Sequence, residues 1–357
     1  MLFSSFAALC LASTALAGPH KRFEGLTVEL SGPPATVSSV ENLKFKAVVK
    51  NGGTEAVKIF KYSTILDDKL PTRSFAITKD GKAVPFTGVK LSISLDALDD
   101  NAFTVIPAGD SVTVEHDVAS LYDFASVGTG SFSFKPITNF RLLAADDEAK
   151  GNFSKVEVNA NDMVIKVTKD IAKRELPQVN KRAVDTCQEG WKKSFIDDSY
   201  MEGKSLAGYG ASYINANGAN TLFQSFWGNS TTSKVLSVLD AVANENSSNR
   251  TLSCVDSYGV CTGGVIAYTV VSTTNIYYCD LFFKQVSTIA VCSTTTVAAR
   301  NLRSGTTLHE LTHAVAGTED ISYGCSADQE LSDAQAVMNA DNYNCFASQV
   351  YRNTRCS

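Results

Sequence analysis

Residues 306–314 read Thr-Thr-Leu-His-Glu-Leu-Thr-His-Ala, an H-E-x-x-H motif within an apolar pattern of helical spacing. On an α-helix, residues i and i+4 lie on the same face, so His309 and His313 can bind one metal ion from one side. Glu310 then reaches the coordination position that water takes at a catalytic zinc, where it can act as a general base. The stretch therefore predicts an active-site helix.

The motif could also have a purely structural role. Glu310 stands three residues after Thr307, which is the spacing of a capping box at a helix start. The two histidines could also be ordinary core or surface residues. Because histidine is rare, the five-residue pattern arises by accident in about one chain in a hundred of this length. The metal site is therefore favoured.

The number of histidines restricts the third ligand. The chain has four, and they are His20, His116, His309 and His313. The first two lie in segments that we expect to be removed, so the third ligand should be a carboxylate, and a serine or cysteine protease is disfavoured. Asp320 is the favoured candidate, because Gly317 can end the helix in a left-handed conformation and turn the chain back. Glu330, on a following helix, remains the alternative.

The composition changes near residue 182. All eight prolines precede this point, and eight of the nine cysteines follow it. The N-terminus is a short apolar run that ends in small residues, which predicts a secretory signal peptide. The dibasic pair Lys181-Arg182 lies at the boundary, and we expect processing there. The predicted parts are a signal peptide (1–17), a propeptide (18–182) and a catalytic domain (183–357).

The cysteines support an extracellular location. An even number confined to one segment of a secreted chain predicts four disulfides. The eight candidates are Cys187, Cys254, Cys261, Cys279, Cys292, Cys325, Cys345 and Cys356. Four sequons also could accept N-glycans, and they begin at Asn152, Asn229, Asn246 and Asn249.

The propeptide is predicted to be a β-rich, sandwich-like domain. Residues 26–30 and 43–47 alternate apolar and polar side chains, and Asp80-Gly81 separates two strands as in a hairpin. A permanent binding module is the alternative to a segment that assists folding and holds the enzyme inactive.

The catalytic domain is predicted to be mainly α with a small β region, so the fold class is α+β. Helical spacing occurs over residues 194–211 and 232–244, and residues 266–283 are rich in strand-forming residues.

The charge and hydropathy of the chain disfavour a nucleic-acid-binding protein and a membrane-spanning one. The net charge is −5 over 357 residues, which gives no support to a nucleic-acid partner. No stretch after the N-terminus is long and apolar enough to span a bilayer. Residues 183–357 contain ten basic and sixteen acidic residues. This acidic part could attract basic substrates, although solubility alone would also account for the charge.

Together with residues 317–324, which read Gly-Thr-Glu-Asp-Ile-Ser-Tyr-Gly, the motif resembles the deuterolysins. These are fungal secreted metallopeptidases of the aspzincin group, with the signature H-E-x-x-H followed by G-T-x-D-x-x-Y-G. Residues 339–343 and the precursor layout match as well. The resemblance implies a zincin-type catalytic domain with one zinc ion per chain, held by His309, His313 and Asp320. It implies that Glu310 is the general base.

The resemblance also implies further roles. Tyr323 would stabilise the oxyanion of the tetrahedral intermediate, whereas its spacing alone favours a packing aromatic. Asp341 would orient a zinc-ligating histidine, unless it exchanges roles with Asp320. The family has three disulfides, which by order would be Cys187–Cys254, Cys261–Cys279 and Cys292–Cys356. Cys325 and Cys345 are additional, and we expect them to pair with each other.

The expected protein is a secreted, monomeric zinc endopeptidase, made as a zymogen, that hydrolyses peptide bonds with a zinc-activated water. Its substrates would be proteins, with a preference for basic ones such as histones and protamines, and its own propeptide would be a partner before processing. The alternative is a secreted zinc-binding or cell-surface interaction protein without catalysis. Glu310 argues against it, because a structural zinc site needs no base.

Overall fold

A computed structural model of the protein describes residues 25–144, 153–178, 187 and 189–356. The predicted signal peptide, the dibasic pair Lys181-Arg182 and the sequon at Asn152 lie outside the described residues. Within the described part the chain is mixed α/β, with strands dominating up to residue 170 and helices from residue 190 onward.

The first half consists mainly of short strands. Their bounds are β1 (Leu26–Ser31), β2 (Thr36–Ser39), β3 (Lys44–Asn51), β4 (Val57–Phe60), β5 (Phe75–Lys79), β6 (Lys82–Ala83), β7 (Val89–Ile93), β8 (Phe103–Ile106), β9 (Ser111–Asp117), β10 (Gly130–Pro136), β11 (Asn139–Ala144), β12 (Ser154–Glu157) and β13 (Met163–Asp170), with a short helix α1 (Phe124–Val127). They form sheets in the orders β1-β3-β9, β2-β13-β10-β5-β6 and β12-β11-β4-β8. The pairing of β2 with β13 is parallel, and the other pairs in these sheets are antiparallel.

One hydrophobic core lies between these sheets. Along β3 alternate side chains are buried, as the sequence pattern predicted. The ring of Phe45 contacts those of Phe75 and Phe134, which belong to the neighbouring sheet. The predicted hairpin is also confirmed, because Asp80 and Gly81 join β5 to β6 with φ angles of 52° and 76°, in the left-handed region that a type I′ turn requires.

The second half contains the long helices and a small sheet. The elements are α2 (Gly190–Asn217), α3 (Thr221–Trp227), α4 (Thr232–Ala243), β14 (Leu252–Ser253), β15 (Val265–Val270), β16 (Asn275–Tyr278), α5 (Arg303–Ala316), α6 (Cys325–Asp328), α7 (Asp333–Ala336) and α8 (Ala340–Arg355). Among the described residues, no helix has the length and hydrophobicity needed to cross a membrane.

Helix α2 is longer than the predicted helix over residues 194–211. The additional residues at its two ends are mostly exposed, so they add little to the apolar pattern from which helices are predicted. At Gly203 a Cβ atom would lie 3.1 Å from the carbonyl oxygen of Ser304, so the absence of a side chain lets α2 approach α5 closely. Helix α4, by contrast, matches the predicted range closely.

Strand β7 leaves the sheets of the first half and joins the sheet of the second. This sheet has the order β14-β16-β15-β7, and β7 runs antiparallel to β15 with Leu91 opposite Tyr268. Apolar side chains from both halves form a common core here, and they include Phe60, Leu91, Val265, Tyr277 and Tyr323. The two halves are therefore joined by strand pairing as well as by packing.

Four disulfides connect the second half. They are Cys187–Cys254, Cys261–Cys279, Cys292–Cys356 and Cys325–Cys345. These pairs agree with the expectation, including the additional pair. The last bridge ties α6, which follows the loop after α5, to α8.

Candidate metal centre and active site

Helix α5 lies at the centre of the second half. It packs against α2, α4 and α8 and against strands β7 and β15, so every residue from Ser304 to His313 is buried. Buried polar groups need partners, because an unpaired one loses its hydration without compensation. The polar side chains of α5 therefore depend on the groups that surround the helix.

Both motif histidines turn the same ring nitrogen toward one point. Nε2 of His309 lies 3.1 Å from Nε2 of His313. Gly317 ends the helix with φ 67° and ψ 24°, the predicted left-handed conformation, and the chain turns back. This turn brings Oδ1 of Asp320 to 3.1 Å from each Nε2 atom. The three atoms thus form an equilateral triangle.

The loop that carries Asp320 is held in place by its neighbours. Glu319 forms a parallel bridge with Asn339, and the side-chain oxygen of Asn339 accepts hydrogen bonds from the backbone amides of Ile321 and Ser322 at 2.9 and 3.0 Å. The position of the carboxylate is therefore fixed by the backbone of its own loop.

Glu310 points into the same site. Its Oε2 accepts a 2.6 Å hydrogen bond from the hydroxyl of Thr269 on β15, and its Oε1 makes no hydrogen bond of normal geometry within the described residues. Burial raises the pKa of Glu310 to about 8, although the charge of His309 and the backbone amide of Ser92 act in the opposite direction. Thr307 lies inside α5 and not at its start, so the capping-box interpretation of Glu310 is wrong.

Asp341, at the start of α8, lies behind His309. Its Oδ1 is 3.6 Å from Nδ1 of His309 and accepts hydrogen bonds from Nε and Nη2 of Arg300 at 3.0 and 2.6 Å. Its Oδ2 accepts the backbone amide of Gly324 at 2.8 Å. Asp341 thus faces the outer ring nitrogen of His309, while Asp320 faces the inner one.

Tyr323 is buried beside the histidines. Its ring is inclined by 16° to that of His309, with 6.4 Å between the centroids. Its hydroxyl donates a 2.9 Å hydrogen bond to the carbonyl oxygen of Leu91 on β7, and the same oxygen lies 3.2 Å from Nε2 of His309. The phenol and Nε2 of His309 therefore share one carbonyl oxygen as a neighbour.

Glu330 lies away from this group. Its side chain is 69% exposed and pairs with Lys155 at 3.0 Å. The alternative in which Glu330 is the third ligand has no geometric support, because the short helix α6 and its continuation turn this side chain toward solvent.

The residues fit a zinc ion. Ligand atoms bound tetrahedrally at 2.0–2.1 Å from zinc are about 3.3–3.4 Å apart, close to the 3.1 Å sides of the triangle. Nδ1 of His313 lies 2.8 Å from the carbonyl oxygen of Thr318, so this nitrogen donates its proton and leaves Nε2 free to bind metal. Burial works against a charged His309, yet Asp320 and Asp341 raise its pKa to about 10, which indicates a site that attracts positive charge.

A second acidic group does not fit a metal. Asp328, Asp341 and Cys345 lie close together, but Cys345 is in a disulfide and Asp341 is paired with Arg300. Burial and the neighbouring charge of Asp341 raise the pKa of Asp328 well above its usual range. These three residues therefore stabilise the structure next to the site and are not metal ligands.

Three residues of the site could not be predicted from the sequence. Arg300 pairs with Asp341, Thr269 holds Glu310, and Leu91 of the first half contacts His309. Each is remote in sequence from its partner and belongs to no motif, so no local signal could have identified it.

The two histidines of α5, the Asp320 carboxylate beside their Nε2 atoms and the neighbouring Glu310 point to a metal-dependent hydrolase of the metallopeptidase class. The chain belongs to the deuterolysin metalloprotease (M35) family, whose model matches residues 1–356. It is a metalloendopeptidase of that family, and the predicted resemblance is confirmed.

Two relatives with similar sequences agree with this assignment. The chain is 32% identical to a neutral protease 2 homolog of Aspergillus terreus, over 97% of both chains. It is 30% identical to penicillolysin of Penicillium citrinum, over 90% of this chain and 92% of that protein. Among solved structures, a zinc peptidase from Grifola frondosa aligns with a TM-score of 0.38 and 23% identity, and the alignment covers 47% of this chain and 99% of that one.

Proposed function

We propose that the chain is the precursor of a secreted zinc endopeptidase in which His309, His313 and Asp320 hold one zinc ion. The observation that carries the proposal is the triangle of ligand atoms, 3.1 Å on each side, with the Glu310 carboxylate beside it. When bound there, zinc would polarise the substrate carbonyl and lower the pKa of the attacking water.

The surrounding residues would supply the remaining functions. Glu310 takes a proton from the attacking water and passes it to the leaving amine, and Thr269 holds its carboxylate in place. The Tyr323 hydroxyl donates to the oxygen that becomes negative in the transition state. Asp341 is a positioning residue, because its carboxylate faces the outer nitrogen of His309. The arrangement would be of the zincin type.

The same geometry supports a zymogen. Strand β7 pairs with β15 along the active-site helix, as an extended substrate would. The backbone amide of Leu91 donates a 2.7 Å hydrogen bond to Oδ2 of Asp320. The carbonyl oxygen of Leu91 contacts His309 and Tyr323. While residues 18–182 remain in place, a substrate cannot reach these groups. Cleavage after Arg182 would allow the propeptide to leave.

A precursor that cannot be processed tests this proposal. Replacing Lys181 and Arg182 with glutamine should leave the secreted chain uncut at residue 182 and without measurable cleavage of casein. The matched control replaces a second dibasic pair, Lys173-Arg174, with glutamine and should be processed and active. N-terminal sequencing and the casein assay are made on the same samples. An unprocessed chain that cleaves casein at the wild-type rate would contradict the role of the propeptide.

The proposal includes substrate class and location. Residues 183–357 are acidic, with sixteen acidic against ten basic residues, and this charge would attract basic proteins such as histones and protamines. The four disulfides agree with an extracellular protein, since disulfides persist in oxidising compartments. A signal peptide over residues 1–17, N-glycans and a monomeric mature enzyme belong to the same proposal.

A further inference from the structure

The peptide bond between Leu91 and Ser92 lies in the active site in a defined orientation. Its carbonyl oxygen is 3.2 Å from Nε2 of His309 and accepts the Tyr323 hydroxyl at 2.9 Å. The amide of this bond belongs to Ser92 and is directed at the Glu310 carboxylate. The carbonyl thus faces the metal ligands and the amide faces the base, which is the orientation that hydrolysis requires of a substrate bond.

The preceding residue, Lys90, is buried in a group of acceptors. Its side chain is 6% exposed, and Nζ donates hydrogen bonds to the carbonyl oxygens of Gly317, at 3.2 Å, and of Thr318. Oε1 of Glu319 lies 3.4 Å from the same nitrogen. Burial lowers the pKa of Lys90, but the charges of Glu319 and Asp320 oppose this effect.

The lysine and its acceptors belong to different halves of the chain. Lys90 lies in the segment that processing would remove, whereas Gly317, Thr318 and Glu319 remain. Glu319 also pairs with Arg73 at 3.2 Å, and Arg73 lies in the removed segment too. Loss of the propeptide would therefore leave Glu319 without either of these cationic partners.

We infer that Glu319 and the carbonyl oxygens of Gly317 and Thr318 form a subsite for a lysine or arginine side chain of the substrate. The side chain belongs to the residue directly before the one whose carbonyl is attacked. This inference rests on the proposed endopeptidase function, and it gives the basic preference a location.

The subsite is rigid before a substrate binds. The carbonyl oxygen of Thr318 also accepts Nδ1 of His313, so it is fixed by a residue of the metal centre. The amide of Glu319 donates to the carbonyl oxygen of Met338 at 2.6 Å, and the carbonyl of Glu319 accepts the amide of Ala340 at 3.0 Å. Fixed acceptors reduce the entropy lost on binding, so a cationic side chain is recognised selectively.

Matched peptides test the subsite on the processed enzyme. The peptides contain Leu-Ser at the cleaved bond and differ only in the preceding residue, which is lysine, glutamine or glutamate. Because hydrogen bonds to charged groups are the stronger ones, kcat/KM should be about ten- to a hundredfold higher for lysine than for glutamine. Glu319→Gln should bring this ratio close to one, and Glu319→Lys should favour glutamate. Glu330→Gln, at an exposed pair with the propeptide, is the control and should keep the wild-type ratio.

A second measurement does not depend on catalysis. The full chain is cut at residue 182, zinc is removed with a chelator, and the dissociation constant of the propeptide from the cut complex is measured. Lys90→Glu and Glu319→Lys should each raise this dissociation constant at least about tenfold. The double variant, which exchanges the two charges, should return most of the way to the wild-type value. Glu330→Gln should change it by less than about threefold, as expected for an exposed pair.

The outcomes separate the two proposals. If Glu319→Gln still prefers lysine and the double variant binds the propeptide no better than the single variants, the inferred subsite is rejected. The endopeptidase assignment then stands. If the processed wild-type protein cleaves no peptide, the proposed function is wrong, and recovery of binding in the double variant still decides whether Glu319 receives the lysine.

Discussion

Glu310→Gln is expected to lose peptide hydrolysis while the processed protein keeps one zinc ion per chain. The amide has the size of the carboxylate and can still accept the Thr269 hydroxyl, so α5 should keep its packing. It cannot take a proton from water, and loss of a general base typically costs about 10²- to 10⁴-fold in rate. The measurement is kcat on a fluorogenic peptide together with zinc content by elemental analysis.

The control for this variant is Glu330→Gln, which removes an exposed carboxylate from the same half of the chain. It should retain both the rate and the zinc. A Glu310→Gln protein that turns over at the wild-type rate would remove the residue from the reaction, and one that lost its zinc would give it a ligand role instead.

Asp320→Ala is expected to lose zinc as well as activity. The substitution removes one corner of the ligand triangle and leaves the two histidines as the protein ligands. Removing an outer partner of a metal ligand typically weakens metal binding about 10- to 100-fold, and removing a ligand should exceed that. The zinc dissociation constant, measured by competition with a chromophoric chelator, is the readout.

Two further variants make this result specific to Asp320. Glu330→Ala should bind zinc like the wild type, because its side chain lies in solvent. Asp341→Asn should weaken zinc binding to an intermediate extent, since its carboxylate faces His309 from behind. Full zinc binding in Asp320→Ala, combined with loss in either of the other two, would show that the third ligand has been misassigned.

Local sequence was informative wherever local interactions determine the structure. The H-E-x-x-H spacing placed both histidines on one face of α5, and Gly317 ended that helix as expected. Asp80-Gly81 specified the hairpin, because its backbone angles are available to few other residue pairs. Three of the disulfide pairs, by contrast, followed from the family resemblance, and Cys325–Cys345 was expected because these two cysteines remained.

The non-local features could not be predicted. Residues 89–93 read Val-Lys-Leu-Ser-Ile, which alternates like any strand, and nothing in them specifies a partner as remote as β15. Gly317 favoured Asp320 over Glu330, but nothing in the sequence identified Asn339, at the start of α8, as the residue that anchors this loop. Strand partners and loop anchors depend on long-range packing, which leaves no periodic trace in the sequence.

The central claim is that one zinc ion at His309, His313 and Asp320 is required for peptide hydrolysis. The most direct test measures zinc content and casein cleavage on the processed wild-type protein before chelation, after chelation and after zinc is restored. We expect one zinc per chain, loss of cleavage when it is removed and recovery when one equivalent is returned. A metal-free protein that cleaves casein at an undiminished rate would contradict this claim.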